Sequence, residues 1–214
     1  MLVIGAELVA GRIPDIMLVI RTSPLSAAAM VVTFAATTQF PLQDAILLGA
    51  VLSLLLYCVK AAQQADLMAL EPTESGGWRI TDVPPSAPSG EITVIFYNGV
   101  GLFAEVPRLD ERWPDLSQTR RAVLIVSLRT LPDVPSSTVI KALEKRIRIL
   151  ATNESKVMIA GVTPEVARVF NRSGLTRLIG ADNVILATDE VFGALNTAVS
   201  GARQWIADHA DHAS

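Results

Sequence analysis

The chain has 214 residues, enough for one or two domains; 50% of them are hydrophobic and only 18% are charged. Its formal net charge of −3 gives no reason to expect a nucleic-acid partner. The single cysteine, Cys58, excludes an internal disulfide and a multi-cysteine metal site, and its position inside an apolar run indicates a packed thiol.

The first third of the chain is predicted to enter a lipid bilayer. No charged residue occurs over 22–43, and only Asp44 interrupts the uncharged run before Lys60. Because a spanning helix needs about 20 predominantly apolar residues, this length predicts a helical hairpin with arms at 24–40 and 42–59. The alternative is a buried hairpin of a soluble protein.

The basic residues around the two arms predict their orientation. Arg12 and Arg21 precede the first arm and Lys60 follows the second, whereas the connecting turn has no Lys or Arg. Since basic flanking segments stay on the cytoplasmic side of a membrane, both open ends and everything after Lys60 are expected in the cytoplasm.

The second arm carries small residues at a four-residue spacing, namely Ala45, Gly49 and Ser53. Small residues allow helix backbones to approach each other closely in lipid. The spacing therefore predicts that this arm packs against other helices.

The rest of the chain has the pattern of an α/β domain. Residues 70–91 are rich in Pro, Gly and Ser and predict a linker or an irregular domain entry that contains a strand-like WRITDV. Four short apolar runs follow: ITVIFY (92–97), AVLIVSL (122–128), KVMIAGV (156–162) and NVILAT (183–188). Helical patterns are found at 138–151, 163–174 and 188–209. The nearly continuous hydrophobicity of the strands predicts a sheet that helices cover on both faces. We expect this sheet to be mixed.

No set of residues predicts a catalytic, cofactor-binding or metal-binding site. The segment YNGVGLF (97–103) contains two glycines, but neither the P-loop nor the dinucleotide-binding spacing follows. His209 and His212 are three residues apart at the C-terminus, where a solvated chain end is expected. We therefore do not predict an enzyme.

In combination, these features resemble the C-terminal end of the SulP family of anion transporters, in which the last membrane helices precede a cytoplasmic STAS domain. AGVTPEV (160–166) is the most specific stretch. The whole resemblance lies in VVTFAATTQFPLQDAILLGAVLSLLLYCVKAA (31–62), GVGLFAEVPRL (99–109), LRTLPDVPSSTVIKALEK (128–145) and KVMIAGVTPEVARVFNRSGLTRLIGADNVILAT (156–188).

The resemblance implies an α-helical membrane hairpin followed by an α/β STAS domain, that is, a mixed sheet with flanking helices. It assigns 1–62 to the last transmembrane helices, 63–91 to a linker or domain entry, and 92–214 to the cytoplasmic STAS domain. Implied partners are the lipid bilayer, the remaining transporter helices, a second copy of the chain and a regulatory protein.

The function implied is that of the C-terminal part of a secondary active transporter for an inorganic anion such as sulfate or bicarbonate, in a bacterial inner membrane. The family's anion-binding half-helices have no counterpart among these residues, so the chain is not expected to transport by itself. The alternative is a membrane-anchored STAS module that binds a partner protein.

The loop DVPSST (133–138) carries the candidate site. In anti-sigma-factor antagonists, which share the STAS fold, the corresponding loop resembles Asp-Ser-Ser/Thr-Gly, and phosphorylation of a serine there blocks partner binding. Here Pro135 takes the place of the aspartate and Thr138 that of the glycine, while Asp133 lies two residues too early. Three hypotheses remain: Ser136 or Ser137 caps a helix, one of them is phosphorylated, or the loop docks a partner.

Overall fold

The computed structural model describes Met17, Arg21, residues 24–131 and residues 134–210. The chain divides into two compact units, Met1–Lys60 and Ala61–Ser214.

The first unit is a helical hairpin of α1 (Pro24–Gln39) and α2 (Leu42–Gln64), the last turn of α2 belonging to the second unit. The bounds agree with the predicted arms, except that α2 continues to Gln64. A Cβ added at Gly49 would lie 3.0 Å from Cγ2 of Thr33, and Ala45 is fully buried. Gly49 thus packs against α1 and Ala45 is buried, whereas Ser53 is exposed.

Large apolar side chains cover the outside of this hairpin. The most exposed are Val31, Phe34, Ile46, Leu47, Leu54 and Tyr57. Within the described part of the chain, α2 is the one helix that is long and apolar enough to cross a membrane, over Gln43–Gln64. An apolar surface of this extent needs lipid or protein to cover it.

The second unit is built on one mixed sheet, in which the described strands have the order β2-β1-β3-β4-β5-β6. Their bounds are β1 (Asp66–Pro72), β2 (Trp78–Thr81), β3 (Ile92–Asn98), β4 (Val123–Ser127), β5 (Lys156–Val162) and β6 (Val184–Leu186). Strand β1 pairs antiparallel with β2 and with β3, and the pairs from β3 to β6 are parallel. The predicted α/β fold class with a mixed sheet is confirmed.

Helices cover both faces of the sheet, as the continuous hydrophobicity of the strands predicts. They are α3 (Val106–Arg112), α4 (Ser137–Thr152), α5 (Pro164–Ser173), α6 (Leu175–Ile179) and α7 (Gly193–Ala210). Leu124 and Val126 of β4 belong to the core shared with α3 to α6, whereas Val123 and Ile125 belong to the core under α7. Alternation along β4 therefore fills two separate cores.

Local signals explain why α5 begins and ends where it does. The hydroxyl oxygen of Thr163 accepts a hydrogen bond from the backbone N–H of Val166, and Pro164 occupies the first helical turn. Gly174 ends the helix in the left-handed conformation. These bounds and this cap confirm the helix predicted for 163–174.

The structure differs from the sequence pattern in the segment 63–91. Its strand-like WRITDV forms β2, as predicted, but the segment also contains β1, so the sheet begins at Asp66. No turn residue separates β1 from the apolar α2, which hid the strand. Helices α3 and α6, of 7 and 5 residues, were not predicted because they are too short to show a helical period.

Candidate partner-docking site

The predicted serine loop lies where β4 ends and α4 begins. Ser136 is the N-cap of α4, and its hydroxyl oxygen accepts a hydrogen bond of 3.4 Å from the backbone N–H of Val139. Ser137 and Thr138 are exposed in the first turn, and Asp133 lies outside the described residues. The helix-cap hypothesis is confirmed for Ser136, while docking and phosphorylation stay predictions.

The loop after β3 holds the serine loop in place. The backbone N–H of Ser136 donates to the carbonyl oxygen of Gly101 at 2.8 Å. Gly101 has φ +79, and a Cβ at that position would lie 2.9 Å from Cα of Pro135. Both the backbone conformation and the close approach therefore require glycine at this position. The structure thus joins two loops that are distant in sequence.

A buried carboxyl group organises the loop after β3. Glu105 is fully buried, and the Tyr97 hydroxyl donates a hydrogen bond to its Oε2. Glu105 Oε1 accepts from the backbone N–H of Val100 at 3.1 Å, and the N–H of Gly101 reaches both Tyr97 Oη at 2.9 Å and Glu105 Oε2 at 3.3 Å. Burying a polar group costs free energy unless it is hydrogen-bonded, and here several donors bind the Glu105 carboxyl group.

Two further features belong to this network. Burial, and then the hydrogen bond to Glu105, raise the pKa of the Tyr97 phenol, so it stays a neutral donor at physiological pH. A Cβ at Gly99 would lie 2.6 Å from both Glu105 Oε2 and the Tyr97 hydroxyl oxygen. Sequence reasoning noted the two glycines of this loop but missed Tyr97 and Glu105.

Apolar side chains are exposed on the two joined loops. Phe103 is 66% exposed, Val100 42% and Val134 39%. Val134 precedes the exposed Ser137 and Thr138 in the chain, and the hydrogen bond between Ser136 and Gly101 brings the loop of Val100 and Phe103 to the same place. Solvent-exposed aromatic and aliphatic side chains beside polar groups are typical of protein-binding surfaces.

Helix α3, which follows Glu105, binds the start of the sheet. Arg108 Nε donates to the carbonyl oxygen of Ala65 at 2.8 Å. Arg112 makes a bidentate ion pair with Asp66, with both hydrogen bonds at 2.8 Å. Asp66 pairs with Asn98 across the sheet, so the chain enters the sheet at the edge where β3 ends. The two joined loops and the entry of the chain therefore share one edge of the sheet.

Comparison with known families identifies the second unit. Residues 86–191 match the family model described as the STAS domain. These residues form a STAS domain. The fold expected from the resemblance is confirmed, and this family is not a class of enzymes. No curated protein matches the chain.

Solved structures extend the likeness to the hairpin. The structure of the murine anion transporter Slc26a9 in the inward-facing state is similar to this chain, with a TM-score of 0.66 and 15% identity. The match covers 91% of this chain and 31% of the Slc26a9 chain. A second structure, of SLC26A9, has a TM-score of 0.66 and 16% identity. The match covers 91% of this chain and 33% of the SLC26A9 chain. A sulfate transporter family protein from Wolinella succinogenes matches 57% of this chain at 21% identity and a TM-score of 0.42. The chain thus spans about a third of the length of the SLC26A9 chains, whose fold it shares.

The STAS domain offers no metal centre among residues 24–131 and 134–210, where no group of three or more His, Cys, Asp or Glu residues could hold an ion. The polar groups that converge at the serine loop are instead backbone amides, hydroxyls and one buried carboxyl group. This chemistry suits the fixing of a loop shape and the recognition of a partner.

We expect Ser136→Ala to lower the free energy of unfolding of the STAS domain by about 1 kcal/mol, since it removes the side-chain acceptor of the cap. Hydrogen exchange of the Val139 amide should accelerate. Ser137→Ala is the control, because the Ser137 hydroxyl caps no described amide, and it should leave both quantities nearly unchanged. Equal effects of the two substitutions would contradict the assigned cap.

We expect Asp66→Asn to destabilise the STAS domain at neutral pH, with a difference from the unsubstituted chain that shrinks in acid. The Arg112 guanidinium holds the pKa of Asp66 below its usual range. The ion pair therefore contributes above the ordinary aspartate pKa of about 3.9, and the contribution is lost as pH falls through the lower pKa of the folded state. Urea unfolding at several pH values measures this. Glu165→Gln, which breaks the exposed pair with Arg168, is the control.

Proposed function

We propose that the chain is the C-terminal part of a SulP-type secondary active transporter for an inorganic anion such as sulfate or bicarbonate. The observation that carries the proposal is that one fold similarity to an anion transporter covers 91% of the chain, and so extends over the hairpin as well as the STAS domain. The exposed apolar surface of α1 and α2 supports a lipid environment for the hairpin.

In this proposal the STAS domain is a cytoplasmic regulatory module at a bacterial inner membrane. Arg21 before α1 and Lys60 in α2 support this orientation, because basic residues flank the cytoplasmic ends of membrane helices. Its partners would be the remaining transporter helices, a second copy of the chain and a regulatory protein. The regulatory protein would dock on Ser137 and Thr138 together with Phe103, and phosphorylation of Ser136 or Ser137 would alter that surface.

Two measurements test the membrane part of the proposal. The chain with a C-terminal tag should resist carbonate extraction from membranes, and the tag should be digested by protease in inverted vesicles but protected in intact spheroplasts. Extraction by carbonate, or a tag protected in inverted vesicles, would exclude the proposed topology.

Uptake of labelled sulfate and bicarbonate tests the transport part. The chain should support uptake by a transport-deficient strain only when the helices of the transporter core are co-produced with it. If the helices of the transporter core restored uptake equally well without the chain, the proposal would be contradicted.

The second candidate function is a membrane-anchored STAS module that binds a partner protein in trans. The exposure of Phe103 beside the serine loop favours it. Purification of the tagged chain from membranes separates the two candidates. A stoichiometric soluble partner that Phe103→Ser removes would favour the module, whereas co-purification with integral membrane helices would favour the transporter.

A further inference from the structure

A groove of about 520 Å³ lies at the edge of the STAS sheet opposite to the serine loop. It is bounded by the last turns of α4, by α6 and by the C-terminal part of α7. The residues that matter for its chemistry are Arg121, Ala151, Lys156, Val157, Leu178 and Trp205. Its volume falls within the range of about 300–1,000 Å³ that is usual for small-molecule sites.

The groove exists because β6 is short. The first residue of β6, Val184, pairs with Ile159, so Lys156 and Val157 of β5 have no neighbouring strand on that side. Val157 and Ile147 form part of the buried core, and Leu178 packs on it. The missing strand pairing therefore leaves the partly exposed Leu178, and the edges of otherwise buried apolar side chains, at the base of the groove.

Two positively charged side chains, Lys156 and Arg121, lie at the rim of the groove. The ammonium group of Lys156 makes no ion pair with a described residue. The Arg121 guanidinium is half-exposed and lies 3.7 Å from Glu154 Oε2, which is a loose contact for an ion pair. Two cationic groups thus have unused donors at the rim of one groove.

The backbone at the rim is also unusual. Arg121 and Glu154, with φ of 51° and 52°, are the non-glycine residues with positive φ in the described part of the chain. Arg121 lies in the turn before β4, and Glu154 lies in the turn before β5. Side chains other than glycine rarely adopt this conformation, and such residues concentrate at functional sites.

We propose that this groove binds a small organic anion, namely a carboxylate or sulfonate carried on an apolar or aromatic body. The body would lie on Val157 and Leu178 beside the Trp205 ring, and the anionic group would accept hydrogen bonds from Lys156 and Arg121. Charge-assisted hydrogen bonds to an anionic oxygen are stronger than neutral ones, and burial of the body removes apolar surface from water. This site is separate from the proposed docking surface.

The test uses para-trifluoromethylbenzenesulfonate as the probe, the full chain in lipid nanodiscs, and fluorine NMR to measure affinity, with empty nanodiscs to subtract partition into lipid. Combining Arg121→Gln with Lys156→Gln should weaken binding at least about tenfold, since each charge-assisted hydrogen bond contributes more than a neutral one. Combining Lys141→Gln with Arg168→Gln removes two exposed cations outside the groove lining and should leave the affinity unchanged.

A second variant keeps the charges and fills the groove. Ala151→Trp should abolish binding of the probe, and Glu154→Gln should strengthen it, because it removes the carboxylate that competes for Arg121. The proposal is overturned if Ala151→Trp binds the probe normally or if the cation-free variant does. It is also overturned if para-trifluoromethylbenzyl alcohol binds as tightly as the sulfonate, or if inorganic sulfate displaces the probe at equal concentration, which would indicate an adventitious ion only.

Discussion

Replacing Glu105 by leucine is expected to lower the free energy of unfolding of the STAS domain by about 3 kcal/mol or more. The substitution leaves the buried Tyr97 hydroxyl and the partly buried backbone N–H of Val100 without their acceptor. Each unsatisfied buried donor costs about 1–3 kcal/mol. Urea unfolding of the full chain can be followed by tryptophan fluorescence, because Trp78, Trp113 and Trp205 all lie in the second unit.

The matched control for this prediction is Glu111→Leu, which replaces an exposed carboxyl group on α3. Its effect on the free energy of unfolding should be small. A loss equal to that of Glu105→Leu would show that the buried carboxyl group contributes no more to stability than an exposed one. A double-mutant cycle between Tyr97→Phe and Glu105→Gln should give a coupling energy of about 1 kcal/mol or more. Additive effects would contradict the hydrogen bond between the two side chains.

Replacing Gly101 by alanine is expected to separate the two loops of the candidate docking site and to lower the free energy of unfolding by about 2–3 kcal/mol. The added Cβ would meet Cα of Pro135, and the backbone would be strained at φ +79. The carbonyl oxygen of Gly101 would then no longer be held against the N–H of Ser136. Hydrogen exchange of the Ser136 amide should therefore become much faster, in addition to the loss of stability.

Gly174→Ala is the control that measures the cost of backbone strain without a contact such as that between Gly101 and Pro135. Gly174 has φ +83, but a Cβ there would have nothing within 4 Å. This substitution should cost about 1 kcal/mol and leave the exchange of the Ser136 amide unchanged. If the two alanine variants were equally stable and equally protected at Ser136, the contact between Gly101 and Pro135 would have no energetic role.

The features that the sequence predicts well are those with local causes. The arms of the hairpin follow from uninterrupted apolar runs, and α5 follows from Thr163, Pro164 and Gly174, each of which acts within one turn of the helix. The four parallel strands are short apolar segments between turn residues, and all four are present in the sheet. Even the Ser136 cap is a local signal, since donor and acceptor are three residues apart.

The features that the sequence does not predict depend on contacts made by the folded chain. Tyr97 and Glu105 meet only because two glycines let the intervening loop close on itself. Arg112 and Asp66 are 46 residues apart, and neither lies in a recognisable motif. The groove beside Lys156 depends on the register of β6, whose first residue Val184 pairs with Ile159, and the apolar run at 183–188 carries no information on that register. Periodicity cannot report any of these relations.

The position of β1 decides how the STAS domain can be separated from the hairpin. β1 lies between β2 and β3, and it comes directly after α2. A shortened chain that began at Ser86, where the family match starts, would lack β1 and β2 and leave the whole of β3 as an unpaired edge. A long apolar edge of this kind invites pairing with other chains and aggregation. A soluble form of the domain must therefore retain the residues from Ala65 onward, although the family resemblance itself begins later.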